Sequence, residues 1–264
     1  MKGNHIEIRV LSTMEELAEV QKVEIAVWNM EPVPLHQTFT ALQNGGILLG
    51  AFDGEKLIGF LYSFAGFNEG TAYLCSHMLG ILPEYQTSGI GEKMKIKQAE
   101  LARKLGYRMI TWTFDPLESR NAYLNLHKLR ATGAIYDANH YGIMNDGLNQ
   151  GLPSDRIQIK WFINEEKRNS THHFDNQKLL LDADGSSVPV LTEFFKRAEW
   201  NSAEVLFVAI PKNFQELKQM NLELAKKWRM ETRFVFQELF EEGFQATDLL
   251  LDNDRSLSYY VFTR

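Results

Sequence analysis

Leu82-Pro83-Glu84-Tyr85-Gln86-Thr87-Ser88-Gly89-Ile90-Gly91 is the stretch whose reading decides the fold, because it joins a strand-like run to a helical one. Upstream, residues 71–82 are rich in apolar and β-forming side chains and stop at Pro83. Downstream, Ile90, Met94, Leu101 and Leu105 recur at helical spacing until Gly106 ends the segment. A turn that opens a helix leaves its first backbone N–H groups without intrahelical partners, and the helix dipole adds to their pull on an anion. Gly89 and Gly91 remove the side chains that would hold a phosphate away from that backbone. The spacing is Gln-x-x-Gly-x-Gly. It has neither the Gly-Lys-Ser/Thr of a P-loop nor the third glycine of a dinucleotide fingerprint, so it reads as an anion cradle of another kind.

Outward from this turn the chain alternates between strand and helix signals. Residues 6–10 alternate as a strand, and Ser12 or Thr13 caps a helix whose first turn carries Glu15 and Glu16. Pro32 and Pro34 end that helix, and residues 36–44 form a short second one stopped by Gly45-Gly46. Two apolar runs, 47–52 and 56–64, flank Asp53-Gly54, a hairpin signal. Beyond the helix after the turn, residues 109–114 are strand-like, 118–129 helical, and 135–136 and 157–163 extended. The order over residues 5–163 is therefore β-α-α-β-β-β-α-β-α-β-β.

Composition narrows the function classes. The chain has 264 residues, 44% hydrophobic and 23% charged, an ordinary globular balance. A net charge of −6 argues against a broad nucleic-acid surface. The single cysteine, Cys75, excludes an intramolecular disulfide and a cysteine-based zinc site. The polar start Met1-Lys2-Gly3-Asn4-His5 has no apolar signal region, and no run reaches the ~18 apolar residues of a membrane helix. The expectation is a cytoplasmic protein that uses no metal, nucleic acid or membrane.

The turn, together with Ile81-Leu82-Pro83-Glu84 before it and the element order around it, resembles the GNAT superfamily of acyl-CoA transferases, whose turn reads Gln/Arg-x-x-Gly-x-Gly/Ala. Leu74-Cys75-Ser76-His77-Met78-Leu79-Gly80, Thr111-Trp112-Thr113-Phe114-Asp115-Pro116-Leu117 and Asn121-Ala122 are similar to one branch of predicted acetyltransferases of unassigned substrate, some associated with N-acylamino-acid metabolism. The resemblance covers residues 5–163 and implies a mixed α/β sheet, splayed so that acyl-CoA enters between two parallel strands. It implies that the amides of Thr87, Ser88, Gly89, Ile90 and Gly91 bind the CoA pyrophosphate while Gln86 braces the loop. Backbone around Leu79, Gly80 and Ile81 would polarise the thioester carbonyl, and Asn121 would contact the pantetheine arm. Lys93, Lys95 and Lys97 read as a solvated helix face, one of them within reach of the 3′-phosphate.

Two steps need proton carriers. Attack by an amine on a thioester requires the neutral amine, hence a base near pH 7. His77, on the strand before the turn, is the candidate, with Ser76 and Cys75 as alternatives; alternation places His77 and Ile81, four apart, on one sheet face. The departing thiolate needs an acid. The family commonly uses a late tyrosine in its fourth helix, where this chain has His127, with Tyr123 one turn earlier on the same face. Arg156 could hold a substrate carboxylate.

The resulting expectation is transfer of an acyl group, acetyl first, from acyl-CoA to the amine of a small molecule by direct attack in a ternary complex. An N-succinyltransferase acting on amino acids, and a CoA-binding sensor without turnover, are the alternatives, and a homodimer is left open. Residues 1–163 form the GNAT domain in this reading, 164–203 a polar connection, and 204–264 a smaller βααββ portion. A shift of 200 residues pairs Glu16 with Glu216, Trp28 with Trp228 and Leu57 with Leu257, which suggests a truncated repeat of the first five elements.

Overall fold

The structure, a computed structural model, describes residues 6–86, 88–142, 151–165, 172–197, 199–252 and 254–264. The chain forms two units by internal contact: Met1–Trp112 with Trp161–Glu165, and Thr113–Lys160 with Glu166–Arg264. The 1–163, 164–203 and 204–264 division remains a division of the sequence.

The first unit holds β1 (Ile6–Val10), α1 (Met14–Trp28), α2 (Leu35–Gln43), β2 (Ile47–Asp53), β3 (Lys56–Asn68), β4 (Thr71–Ile81), α3 (Ile90–Lys104) and the start of β5 (Met109–Phe114). Thr13 begins α1 with a full capping box, its side chain accepting from the Glu16 N–H. Asn29, left-handed at φ 52°, ends it. The strands lie in the order β1-β2-β3-β4-β5, antiparallel except for β4 beside β5. Leu11, Leu17, Val20, Val23, Leu48, Phe60 and Tyr62 form the core on the α1 face. The last residues of β7 (Arg156–Phe162) also belong here, and just beyond them the Ile163 N–H donates to the Arg108 carbonyl at 3.1 Å.

The second unit continues with α4 (Ser119–Ala122), a π-helical turn at Tyr123–Lys128, β6 (Thr132–Asp137) and the start of β7. β8 (Leu179–Ala183), β9 (Pro189–Leu191), α5 (Glu193–Lys196), β10 (Val205–Pro211), α6 (Phe214–Met220), α7 (Leu222–Glu241), β11 (Gln245–Leu251) and β12 (Leu257–Thr263) follow. Their strand order is β7-β6-β11-β12-β10-β8-β9. The two C-terminal helices divide at Asn221, whose side chain accepts from the Leu224 N–H and caps α7. Ala225, Trp228, Arg229, Thr232, Val235, Phe236 and Leu239 then make one unbroken buried stripe.

The proposed repeat of the first five elements does not hold at the level of strand order. In the first unit β2 separates β1 from β3, whereas β10, the counterpart of β1, pairs with β12 and not with β11. The C-terminal strands follow a different pattern. β8 runs parallel to β10, and β10 and β11 flank β12 antiparallel to it. β4 likewise runs parallel to β5, and β6 pairs antiparallel with β7. The resemblance is to the later strands of the N-terminal portion. β11 also pairs antiparallel with β6, at Ala246 and Gly133.

Candidate functional site

In the first unit, β4 and β5 pair only at Leu74–Ile110 and Cys75–Thr111. From Ser76 onward β4 has no ladder partner on that side among the described residues, so its Leu79–Ile81 backbone forms an open edge leading to the glycine turn. Pro83–Tyr85 make one 3₁₀ turn, and Gln86 is extended. The Gln86 side chain donates Nε2 to the Ile81 carbonyl at 3.1 Å, and the Ser88 hydroxyl donates to the Tyr85 carbonyl at 2.6 Å. The first bond ties the turn to the end of β4, and the second closes the turn on itself. Gly89 takes the left-handed conformation, φ 75°, and begins α3 with no side-chain cap. The N–H groups of Gly89, Ile90 and Gly91 have no partner among the described residues. Thr87, also assigned to the cradle, lies outside the described residues.

The β3–β4 register slips where Tyr62 faces Met78 but Phe64 faces Cys75, so Ser76 and His77 together oppose Ser63. This is a β-bulge. It separates the two side chains. Ser76 is buried toward α3, while His77 lies among Tyr62 and Phe64 at ring distances of 6.1 and 5.6 Å. His77 and Ile81 therefore do not share a face as alternation predicts, because the extra residue shifts the period. His77 remains open to solvent on one side, and its apolar surroundings push its pKa below the ordinary histidine value.

Lys95 corrects the reading of a solvated lysine face. Lys93 is exposed and Lys97 pairs with Glu100, but Lys95 is only 3% exposed. Its Nζ donates to Ser76 Oγ at 2.9 Å and sits 3.5 Å from the Trp112 ring centroid. Burial without a facing carboxylate lowers its pKa to about 7. Gln98 donates to the same Ser76 oxygen at 3.0 Å. The Cys75 thiol is pushed up by burial, which argues against a nucleophilic thiolate.

The second unit carries the other candidates. Asn121 is exposed in α4. Tyr123 and His127 stack with centroids 4.5 Å apart and planes at 15°. They sit in the π-helical turn, whose i→i+5 bonding is seen in the Leu129 N–H to Leu124 carbonyl bond. His127 Nδ1 lies 2.8 Å from Asp248 Oδ1 on β11, and Asp248 is 2% exposed. Asp248 was invisible to sequence reasoning, since one aspartate in a strand 121 residues away carries no motif.

Arg156 is buried and not an open carboxylate grip. It donates to the Asp155 carbonyl and lies 3.8 Å from Asp115. Arg229 of α7 pairs with Asp115, and Arg233 holds Asp155 through Nε and Nη2 at 2.9 and 2.6 Å. Against the cost of burial, Arg233, the Tyr136 hydroxyl and the Asn139 N–H keep the Asp155 carboxyl below its usual range. Burial raises the Glu118 carboxyl beside Gln215.

Among the described residues no group of three His, Cys, Asp or Glu side chains could hold a metal ion, and no helix is long and apolar enough to cross a membrane.

Comparison with known proteins gives a family model and several similar folds. No curated protein matches the chain. The Salmonella typhimurium protein yncA, solved with its cofactor acetyl-CoA, is 15% identical with a TM-score of 0.49, covering 64% of this chain and 99% of its own. The IAA acetyltransferase from Bacillus cereus is 17% identical with a TM-score of 0.44, covering 59% and 97%. The Arabidopsis thaliana protein NAA60, solved with a bisubstrate analogue, is 13% identical with a TM-score of 0.47, covering 60% and 99%. The model of the acetyltransferase (GNAT) family matches residues 11–129, the stretch that holds the glycine turn and the strands and helices around it.

Proposed function

We propose that this protein transfers an acyl group, acetyl first, from acyl-CoA to the amine of a small molecule by direct attack within a ternary complex. The observation that carries the reading is the open edge of β4 running into a turn whose amides have no partner among the described residues and whose Gly89 is left-handed. Amides of Ser88 to Gly91 hold the pyrophosphate, with Thr87 contributing as well, and Gln86 keeps the turn fixed to the strand end. Donors that are already aimed cost no reorganisation when the phosphates arrive. The free N–H groups of the β4 edge around Leu79 to Ile81 polarise the thioester carbonyl as negative charge develops on its oxygen. Asn121 contacts the pantetheine arm.

His77 takes the proton of the attacking amine, directly or through a water. Its lowered pKa keeps the ring neutral near pH 7, which a base requires. The C–N bond forms as the C–S bond breaks, and His127, with Tyr123 stacked on it, supplies a proton to the leaving sulfur. A cytoplasmic location fits the same reading.

Thiol release from acetyl-CoA and succinyl-CoA, followed with a thiol reagent across a panel of amines and amino acids, tests it. Acetyl-CoA turnover with a small amine is expected. Turnover confined to succinyl-CoA with amino acids points to the succinyltransferase. Tight CoA binding with no release for any amine leaves a sensor.

A further inference from the structure

We propose that Asp248, supplied by the C-terminal portion, is the positioning residue for His127 and makes Nε2 the proton-donating atom of the ring. The proposal rests on the reading of His127 as the acid that meets the departing thiolate.

The geometry is that of a carboxylate–imidazole dyad. Asp248 is buried on β11 and its Oδ1 lies 2.8 Å from His127 Nδ1. An ionised carboxylate only accepts hydrogen bonds, so Nδ1 must carry a proton and donate. The second nitrogen, Nε2, has no partner among the described residues, and the side chain is 32% exposed. The proton free to leave the imidazolium is then the one on Nε2.

Three contacts hold the pair still. Arg130 Nη1 donates to Asp248 Oδ2 at 3.2 Å, from a residue with φ 57° just after the π-helical turn. The Leu249 N–H donates to Oδ1 at 2.8 Å. Tyr123 stacks on the imidazole, limiting rotation of the ring. A non-glycine residue at positive φ is strained, and such strain clusters where a particular arrangement is maintained. The π-helical turn is a second feature of that kind.

The step balances simply. The imidazolium gives its Nε2 proton to the thiolate sulfur, leaving free thiol and a neutral imidazole whose Nδ1–H still faces Asp248. The exposed ring then regains a proton from water. Asp248 stays ionised throughout, stabilising the imidazolium and fixing its orientation, and does not itself transfer a proton. The C-terminal strands thereby acquire a role in the reaction beyond adding to the sheet.

The test uses the full-length protein and the variants D248N, D248E and H127N, with thermal unfolding to confirm that each folds. Nitrogen-15 spectra of the imidazoles report the His127 tautomer without any need for turnover. In the wild type the neutral ring is expected to carry its proton on Nδ1, and D248N is expected to lose that preference. In thiol-release assays D248N should lower kcat about tenfold to a hundredfold with KM for acetyl-CoA unchanged, within the range of general acid catalysis. D248E should recover part of the loss. A wild-type ring protonated on Nε2, or a D248N kcat equal to the wild type, overturns the proposal. Full activity in H127N overturns the acid role beneath it. If no amine supports thiol release, the acyl-transfer reading fails while the tautomer still decides whether Asp248 orients the ring.

Discussion

Lys95 Nζ and Ser76 Oγ stand 2.9 Å apart inside the first unit, a buried amine hydrogen-bonded to the bulge residue of β4. Among the described residues no carboxylate offsets the desolvation of that amine, and its pKa falls to about 7. The lysine and Gln98 together hold Ser76 on one face while its neighbour His77 turns to the other.

Stability should therefore depend on pH through Lys95. The unfolded chain binds this proton up to about pH 10.4, the folded protein only up to about 7. Between those values the unfolded state holds more protons, so stability rises with pH by up to ~1.4 kcal/mol per unit and levels off below 7. Urea unfolding of K95M from pH 6 to 10 should show this slope removed. An unchanged slope would assign it to another group.

His77 offers a second pH test. A base must be unprotonated, and a lowered pKa moves the acid limb of kcat/KM below the ordinary ~6.5. The limb should disappear in H77Q, with the plateau reduced about 10²-fold or more. Proton NMR titration of the His77 ring should place its midpoint on the same low side. A midpoint above 6.5 would contradict the apolar surroundings assigned to it.

Gly89 isolates the turn. A Cβ built there meets nothing within 4 Å, so G89V is strained only by its left-handed backbone, φ 75°, at about 1–2 kcal/mol. The added side chain projects from the turn beside the free amides. Calorimetry should show acetyl-CoA affinity reduced at least about tenfold, which is ~1.4 kcal/mol. G54V is the control, with φ 61° and equally open space in the β2–β3 hairpin. Equal affinities in both variants would remove the turn from the binding site.

Gly133 probes the joint between β6 and β11. Its Cβ would lie 2.9 Å from Ile157 Cγ2 and 3.0 Å from Ala246 Cβ. G133V should destabilise the protein by about 1–3 kcal/mol through overpacking, read as a lower urea midpoint. It should also disturb the His127–Asp248 contact, since Asp248 is two residues beyond Ala246. A wild-type midpoint would mean that the strands separate there without penalty.

Much of the local structure was legible because it follows short-range rules. Thr13 and Glu16 announce a capping box, Asp53-Gly54 a hairpin and Pro83 to Gly91 a strand–turn–helix passage, and each forms as its residues dictate. The bulge at Ser76 and His77 was not legible, since alternation contains no sign of an extra residue until the partner strand sets the register. Lys95 looked like part of a charged face because helical spacing does not reveal which side a sheet covers. The repeat was misread for a related reason: element order survives in sequence, but strand order is a matter of which edges meet.

Sequence by itself determined most of the elements, the glycine turn and the match of residues 11–129 to the acetyltransferase (GNAT) model, all encoded in contiguous residues. Tertiary structure alone decided that Asp248 meets His127, that Arg229 meets Asp115 and that Lys95 is sealed beneath Ser76. The physical reason is separation along the chain. A carboxylate 121 residues from a histidine acquires meaning only when β11 is brought beside the π-helical turn, and no local propensity records that meeting.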